Sequence, residues 1–321
     1  MSGPLLDVSV IIPMTERPAP PVELYEEFAA PLRDAGRTFE FVFVTYPWFR
    51  SITDKLAPLV QRGEPIRVIE VPRGGGETTL IKVAAGSCRG RTIVTVPAYR
   101  QVEASVLPQL VARVEGGTDL VVARRWPRSD SLINRFQSTV LHFFVGGLAG
   151  GRLHDVACGV RAMRRDVPAE VTLYGDFARF LPLVALLEGF VVEEVQAPVH
   201  SQAMRGRLYR PGVYLRRFID VMGLLFLLKF TEKPLRFFGL IGTTLAALGG
   251  FVLFVVLLQR LGGQGVSDRP VLLLGVLLIT LGIQSIALGL IGEMIVHLTA
   301  SQRRRYRVRT PEARAGRTEA A

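Results

Sequence analysis

Phe237 to Leu258 reads FFGLIGTTLAALGGFVLFVVLL, and Val271 to Ile291 reads VLLLGVLLITLGIQSIALGLI: two uncharged apolar runs of about 22 and 21 residues. At about 1.5 Å rise per residue each helix is roughly 30 Å long, the thickness of a bilayer's hydrocarbon core. The runs predict two transmembrane helices, and their tandem arrangement argues against the alternative of buried core helices. Gln259–Pro270 between them carries glycines, Asp268 and Pro270, which suits a turn outside the bilayer. Lys229, Lys233 and Arg236 precede the first run, and Arg303, Arg304, Arg305, Arg307 and Arg309 follow the second. The turn has only Arg260 and Arg269, with Asp268 against them. Basic residues stay on the cytoplasmic side, so both termini are expected there, in a multi-pass protein of the inner (cytoplasmic) membrane. Val213–Phe230, VYLRRFIDVMGLLFLLKF, mixes apolar residues with Arg216, Arg217, Asp220 and Lys229, the pattern of a helix lying in the interface.

Composition agrees. Of 321 residues 49% are hydrophobic, and the mean hydropathy is +0.32, with the excess beyond Leu224. The net charge of +11 crowds beside apolar segments, and no helix carries a basic stripe with interleaved aromatics. That favours a membrane surface over nucleic acid. Cys88 and Cys158 lack C-x-x-C spacing, and both are expected to stay reduced in the cytosol. The first residues, MSGPLLDVSVIIP, have no basic n-region and read as a strand, not a signal peptide.

Before the membrane segments the chain alternates strands with helices. Strand patterns fall at Val8–Pro13, Phe39–Tyr46, Ile66–Val71, Thr92–Val96 and Asp119–Arg124, and helical patterns at Val22–Ala35, Thr78–Ser87 and Ala104–Val114. This predicts an α/β domain with a mostly parallel sheet flanked by helices. The expected organisation is a cytosolic domain over 1–205, an interfacial helical region over 206–233, a transmembrane pair over 234–298 and a basic cytosolic tail over 299–321. Ligands of such sheets bind beyond the carboxyl ends of the strands.

Four later stretches carry a resemblance: CGVRAMRR (Cys158–Arg165), GFVVEEVQAPVH (Gly189–His200), FLLKFTEKPLRFFG (Phe226–Gly239) and the two spans. In that order they resemble the family-2 polyprenyl-phosphate glycosyltransferases, such as dolichol-phosphate mannosyltransferases and bactoprenol glucosyltransferases. The resemblance covers nearly the whole chain. It implies a GT-A fold that moves a sugar from a nucleotide-sugar to polyprenyl phosphate, with Mg or Mn held by carboxylates.

At the donor side this chain departs from the family. Where the family's second strand ends in V-D-D-G-S-x-D, it reads VTYPWFR, so Thr45 and Tyr46 stand in place of carboxylates. Where the fourth ends in D-A-D-L-Q, it reads PAYRQ, with Pro97 and Tyr99 for the aspartates. The first strand's N-E is disturbed to Pro13, Met14, Thr15, Glu16, Arg17. No metal is expected at these positions. Glu16 or Glu103 would have to replace the lost ligands, and Arg50 and Arg100 would repel a metal or meet phosphates directly. RGGGETT (Arg73–Thr79) is either a phosphate cradle or a structural turn.

The acceptor side keeps more. Arg124 and Arg125 stand where the family has G-x-R, and Asp155 and Arg161 match its D-x-x-C-G-F-R-A. His200, Arg205, Gly206 and Tyr209 approximate its H…R…G-x-S-x-Y, with Leu208 in place of the serine. The resemblance implies that Arg124, Arg125, Arg161, His200, Arg205 and Tyr209 bind the lipid phosphate; Asp155 is the catalytic candidate, or else a structural acceptor. Two readings stay open: a transferase with a rearranged donor site, and an inert relative that binds lipid phosphate or a partner transferase. Either admits a homo-oligomer. A channel is disfavoured because the spans hold no ionisable residue before Glu293.

The orientation has a direct check. A cysteine placed within Gln259–Pro270 should react with an impermeant maleimide added to intact cells, and one placed beyond Ser301 should not; the reverse pattern would put the α/β domain outside.

Overall fold

The alternating strand and helix patterns assemble into one seven-stranded sheet. In this computed structural model, residues 5–15, 18–72, 75–127, 153–156, 158–171, 177–201, 223, 234–262 and 270–300 are described. The strands are β1 (Leu6–Pro13), β2 (Phe39–Thr45), β3 (Ile66–Glu70), β4 (Gly90–Thr95), β5 (Leu120–Trp126), β6 (Arg161–Arg164) and β7 (Val192–Pro198). Their order is β3-β2-β1-β4-β6-β5-β7. All neighbours are parallel except β6, which runs antiparallel to both β4 and β5. The first five strands match the expected ones closely. The last two were not anticipated as strands, because β6 is four residues with an arginine at each end and β7 mixes Glu193 and Glu194 with its apolar positions.

Helices α1 (Pro21–Asp34), α2 (Arg50–Thr53), α3 (Ala57–Gln61), α4 (Gly76–Ser87), α5 (Leu107–Glu115), α6 (Val167–Glu170) and α7 (Leu181–Leu187) complete this unit. Every residue of β2 is buried. Alternate side chains of a strand point to opposite faces, so a continuously buried strand is covered on both sides. On one of them Tyr25 of α1 packs edge-on against Phe41, with ring centroids 5.0 Å apart.

One buried charge joins four strands at the end away from the crevice. Glu40 of β2 is fully buried; it accepts the Ser9 hydroxyl at 2.8 Å, the Arg89 N–H at 2.6 Å and the Arg89 guanidinium at 3.1 Å. Arg67 of β3 reaches it at 3.3 Å. The Ser9 hydroxyl in turn accepts the Gly90 N–H at 2.7 Å. A Cβ on Gly90 would stand 2.4 Å from the Ser9 nitrogen, so only glycine fits there. Burial alone would raise the Glu40 pKa; the hydrogen bonds from the Arg89 N–H, Ser9 and the Arg89 guanidinium outweigh it, and the net shift is downward.

The second compact unit holds two long helices, α8 (Pro234–Leu261) and α9 (Pro270–Ala300). Both are long and apolar enough to cross a membrane, with mean hydropathies of 2.4 and 2.5. They extend past the expected spans, 237–258 and 271–291, and take Arg236 and Arg260 into the helical ends. Glycines seven residues apart bring them together: Gly242 and Gly249 on α8, and Gly275, Gly282 and Gly289 on α9. A Cβ on Gly242 would lie 2.6 Å from the Gly282 carbonyl oxygen, and one on Gly249 2.7 Å from that of Gly275. The seven-residue spacing keeps both stripes on the shared face, and close backbone approach is how apolar helices associate without a hydrophobic drive. The Glu293 carboxylate accepts the Leu235 N–H at 3.3 Å, capping the start of α8.

Because the folded pKa of Glu40 is depressed, its contribution is full above the unfolded value near 4.5 and is lost as pH falls through the folded value. Thermal unfolding should show stability falling on acidification below that point. Glu40→Gln should cost about 2 kcal/mol at neutral pH and flatten the acid dependence; an unchanged acid profile in the variant would remove Glu40 as its source.

Candidate active site at the strand ends

The chain runs from β1 outward through β2 and β3, then crosses back to lay β4 on the other side of β1. In open α/β sheets the crevice beyond the carboxyl ends at such a reversal receives the ligand. Here it lies beyond Pro13 and Met14 of the β1 end and beyond Val96–Tyr99 after β4.

The positions where the family has carboxylates are filled by residues with structural work. Pro13, Thr45, Tyr46 and Pro97 are buried, and Tyr99 is half-buried. The Thr45 hydroxyl donates to the Tyr46 carbonyl at 3.1 Å. The Tyr46 hydroxyl accepts the Gly75 N–H at 3.1 Å and donates to the Gly76 carbonyl at 3.2 Å. It thereby fastens the glycine turn that opens α4, where Gly76 has φ +79°, a conformation that glycine adopts without strain. The Tyr46 ring stacks on exposed Trp48, centroids 4.6 Å apart. After β4, Pro97 lies against Gly159, where a Cβ would come within 2.4 Å of the Pro97 Cγ. Gln101 donates to the Tyr99 hydroxyl at 2.8 Å and accepts the Gly159 N–H at 2.7 Å.

A divalent metal needs hard oxygen ligands, usually carboxylates. The β2 and β4 ends supply a threonine, two tyrosines and a proline, and the hydroxyls of all three are already hydrogen-bonded. Glu103 sits at the cap of the 3-10 turn Ala104–Val106, its N–H bonded to the Pro198 carbonyl at 3.0 Å. Among the described residues no three His, Cys, Asp or Glu side chains gather as a metal site. These residues do not fit the metal of the family. Arg100, read as repelling a metal or meeting phosphates directly, is 9% exposed and paired with Glu23 at 3.0 Å and with Glu27. Arg50 is exposed, 3.7 Å from Glu70.

On the acceptor side the structure sorts the expected arginines. Arg125 at the end of β5 is held by Asp155 in a two-pronged pair, Nε to Oδ2 at 2.7 Å and Nη2 to Oδ1 at 2.8 Å. Asp155 is 2% exposed, and its own N–H goes to Glu194 of β7 at 2.8 Å. Glu194 also accepts the His154 N–H, and it lies 3.0 Å from the His154 Nδ1. Asp155 is thus a positioning acceptor, and Glu194, which no sequence pattern singled out, supports it. Arg124 points its guanidinium over the Trp126 ring, 5.6 Å from the centroid, with no carboxylate partner among the described residues. The His200 Nε2 lies 3.6 Å from the Glu27 carboxylate, and the His200 N–H bonds to the Gln101 carbonyl at 3.2 Å.

Arg161 requires correction. It was expected to bind the lipid phosphate, but it is 3% exposed. Its guanidinium donates to the carbonyls of Cys158 and Ala178 at 2.6 Å, Arg179 at 3.0 Å and Val156 at 3.5 Å. Four of its five N–H donors are spent on main-chain carbonyls, and the group is buried in the fold. Glu16, Arg205, Gly206, Tyr209, the interfacial segment 213–230 apart from Gly223, and the basic tail beyond residue 300 lie outside the described residues.

No family model matches the chain. It is 25% identical over 296 residues to a dodecaprenyl-phosphate galacturonate synthase of Rhizobium johnstonii, covering 90% of this chain and 88% of that protein. It is 28% identical over 312 residues to an undecaprenyl-phosphate 4-deoxy-4-formamido-L-arabinose transferase of Salmonella paratyphi A, covering 95% and 93%. Among solved structures, glucosyl-3-phosphoglycerate synthase of Mycobacterium tuberculosis, in complex with Mn2+, UDP-glucose and phosphoglyceric acid, superposes with a TM-score of 0.52 at 16% identity, over 68% of this chain and 79% of that one. The sheet domain therefore has the GT-A fold of glycosyltransferases. Over nearly its full length the chain is similar to these two polyprenyl-phosphate glycosyltransferases.

Arg161→Ala would strand buried carbonyls and should destabilise the domain by about 3 kcal/mol or more. Arg124→Ala, at a half-exposed site, should stay within about 0.5 kcal/mol of the parent. Thermal unfolding of the purified protein measures both, and equal losses would undo the division of roles. Burial also pushes the Cys158 thiol, and likewise the Cys88 thiol, up to about 11, so the folded parent should resist maleimide at pH 7 until denatured.

Proposed function

We propose that the chain transfers a sugar from a nucleotide diphosphate to polyprenyl phosphate at the cytoplasmic face of a membrane that α8 and α9 cross. The single observation that carries this is homology extending through both the GT-A domain and the long helices. The two relatives' names share a polyprenyl phosphate and differ in the sugar, so the lipid is the part of the substrate pair carried over.

In the reaction an oxygen of the lipid phosphate attacks the anomeric carbon as the bond from that carbon to the nucleotide diphosphate breaks. The diphosphate leaves with the electron pair. The acceptor is already anionic and needs no base. What the chain must supply is orientation of the two phosphates and relief of their charge. For the lipid phosphate, Arg124 is the best-placed candidate of those described. It is half-buried, carries no carboxylate partner among the described residues and lies over an aromatic face that holds its plane in one orientation. Arg125, fixed by Asp155, stiffens the strand end beside it. On the donor side the first turn of α4 offers backbone N–H groups, with the glycine turn fastened by the Tyr46 hydroxyl. No step is assigned to a metal, because the residues at the strand ends do not form its ligand set.

Reconstituted in lipid nanodiscs with undecaprenyl phosphate, the protein should convert at least one of a panel of labelled nucleotide-sugars to lipid-linked sugar, and should do so in EDTA. Arg124→Ala should raise KM for the lipid phosphate about tenfold, the worth of roughly 1.4 kcal/mol of charge-assisted hydrogen bonding, and leave KM for the nucleotide-sugar unchanged. Turnover lost in EDTA and restored by manganese would instead point to a carboxylate such as Glu16 or Glu103 as metal ligand. Absence of product with every donor would leave only the binding of lipid phosphate.

A further inference from the structure

The loop before β6 carries an imidazole to which the transfer reaction has so far given no part. His154 is exposed, and its Nδ1 lies 3.0 Å from the Glu194 carboxylate of β7. That carboxylate is itself held. It is 9% exposed, and it accepts the main-chain N–H groups of both His154 and Asp155. The ring is therefore anchored at one nitrogen by an acid that is fixed in place. Its other nitrogen, Nε2, has no partner among the described residues.

The anchored ring stands at the carboxyl end of β5. Asp155, the next residue, accepts the Arg125 N–H at 3.2 Å and grips its guanidinium. Across the ladder Glu194 is level with Val122, and Gln196 with Arg124. Residues level across a ladder, and residues two apart on a strand, share a face of the sheet. Glu194 and Arg124 thus rise from the same face, offset by about 7 Å along the strands. The Trp126 ring, more than half exposed, lies under the Arg124 guanidinium. Both carboxylates of this group are taken up by N–H groups. What remains for a ligand is an imidazole and a guanidinium, which suits an anion.

We propose that His154 is a second ligand of the lipid phosphate, its Nε2 hydrogen-bonded to a phosphate oxygen beside the Arg124 guanidinium, with Glu194 holding the ring. The inference rests on the reading of the acceptor as polyprenyl phosphate. A phosphate monoester carries three oxygens and up to two charges, and one guanidinium meets only part of either. Its second proton leaves at about pH 6, in the range where an imidazole also titrates. A single proton between Nε2 and the oxygen therefore completes the bond, whichever group brings it. Held on the ring, that proton leaves the phosphate as the dianion, the better nucleophile toward the anomeric carbon, and Glu194 offsets the charge of the imidazolium.

Two substitutions divide the ring between them. In His154→Asn the amide stands near the place of Nδ1, within reach of Glu194, and the outer nitrogen is gone. In His154→Gln the amide stands near the place of Nε2, and the Glu194 bond is given up. With the full chain in nanodiscs, His154→Asn should raise KM for undecaprenyl phosphate about tenfold and His154→Gln about twofold. KM for the nucleotide-sugar should not change in either. A purely structural histidine, bonded only to Glu194, would reverse that order. The reversed order, a parental KM in His154→Asn, or a shift confined to the nucleotide-sugar would overturn the proposal. Retention of labelled undecaprenyl phosphate by the full chain in detergent reads binding without turnover. The parent should retain more than His154→Asn, undecaprenol should show no such difference, and an equal concentration of inorganic phosphate should not displace the lipid. Retention alike in parent and His154→Asn, the same difference with undecaprenol, or displacement by inorganic phosphate would each overturn His154 as a ligand of the lipid phosphate. Absence of turnover with every donor, alongside the expected retention, would refute the transfer and uphold the ligand.

Discussion

A guanidinium removed from water must have its charge and its N–H groups met by the protein, and for Arg161 four main-chain carbonyls do this. The consequence runs outward along the backbone. Two of those carbonyls belong to the loop before β6, and two to the 3-10 turn Phe177–Phe180, so one side chain ties a loop, a strand and a turn together. The same loop carries Asp155, which orients Arg125, and Gly159, which Pro97 packs against and whose carbonyl accepts the Thr95 hydroxyl at 2.9 Å. Remove the buried cation and both the acceptor-side pair and the β4 end lose their support. Arg161 is therefore a residue on which the build of this region depends.

The residues at the β2 and β4 ends carry structural duties. Tyr46 is the fastener of the glycine turn. Tyr99 is bound to Gln101, which also takes the Gly159 N–H, so the PAYRQ segment and the loop before β6 form one hydrogen-bonded unit. An aspartate in place of Pro97 would bring a charge against Gly159 at a buried position, where desolvation penalises it. These residues belong together as one hydrogen-bonded structural unit.

The first five strands and the two long helices were legible in the sequence because each buries or exposes apolar residues at a regular period, and period is what a sequence displays. The strands β6 and β7 were not, since RAMR and VEEVQAP trade apolar positions for charges whose partners come from distant segments. The same limit governs the site. Arg124, Arg125, Asp155 and Arg161 could be picked out as residues of the right type near strand ends. Which guanidinium is spent on carbonyls, which is clamped and which is left over an aromatic ring depends on side-chain direction, and pattern does not carry direction. Glu194 went unnoticed for the same reason: as one of two adjacent acids it reads as surface, and its bond from the Asp155 N–H comes from a distant segment.

The chain has two tryptophans, and both stand at the crevice end of the sheet. Trp48 lies on Tyr46 and so on the fastening of the glycine turn, and Trp126 lies under the Arg124 guanidinium. Both rings are more than half exposed, 63% and 54%. Indole emission is quenched by stacking and shifted by nearby charge, so each ring is a built-in optical probe of its own strand end. On the proposed function, with one tryptophan replaced by phenylalanine, the other would report separately on nucleotide or on lipid phosphate, without any label.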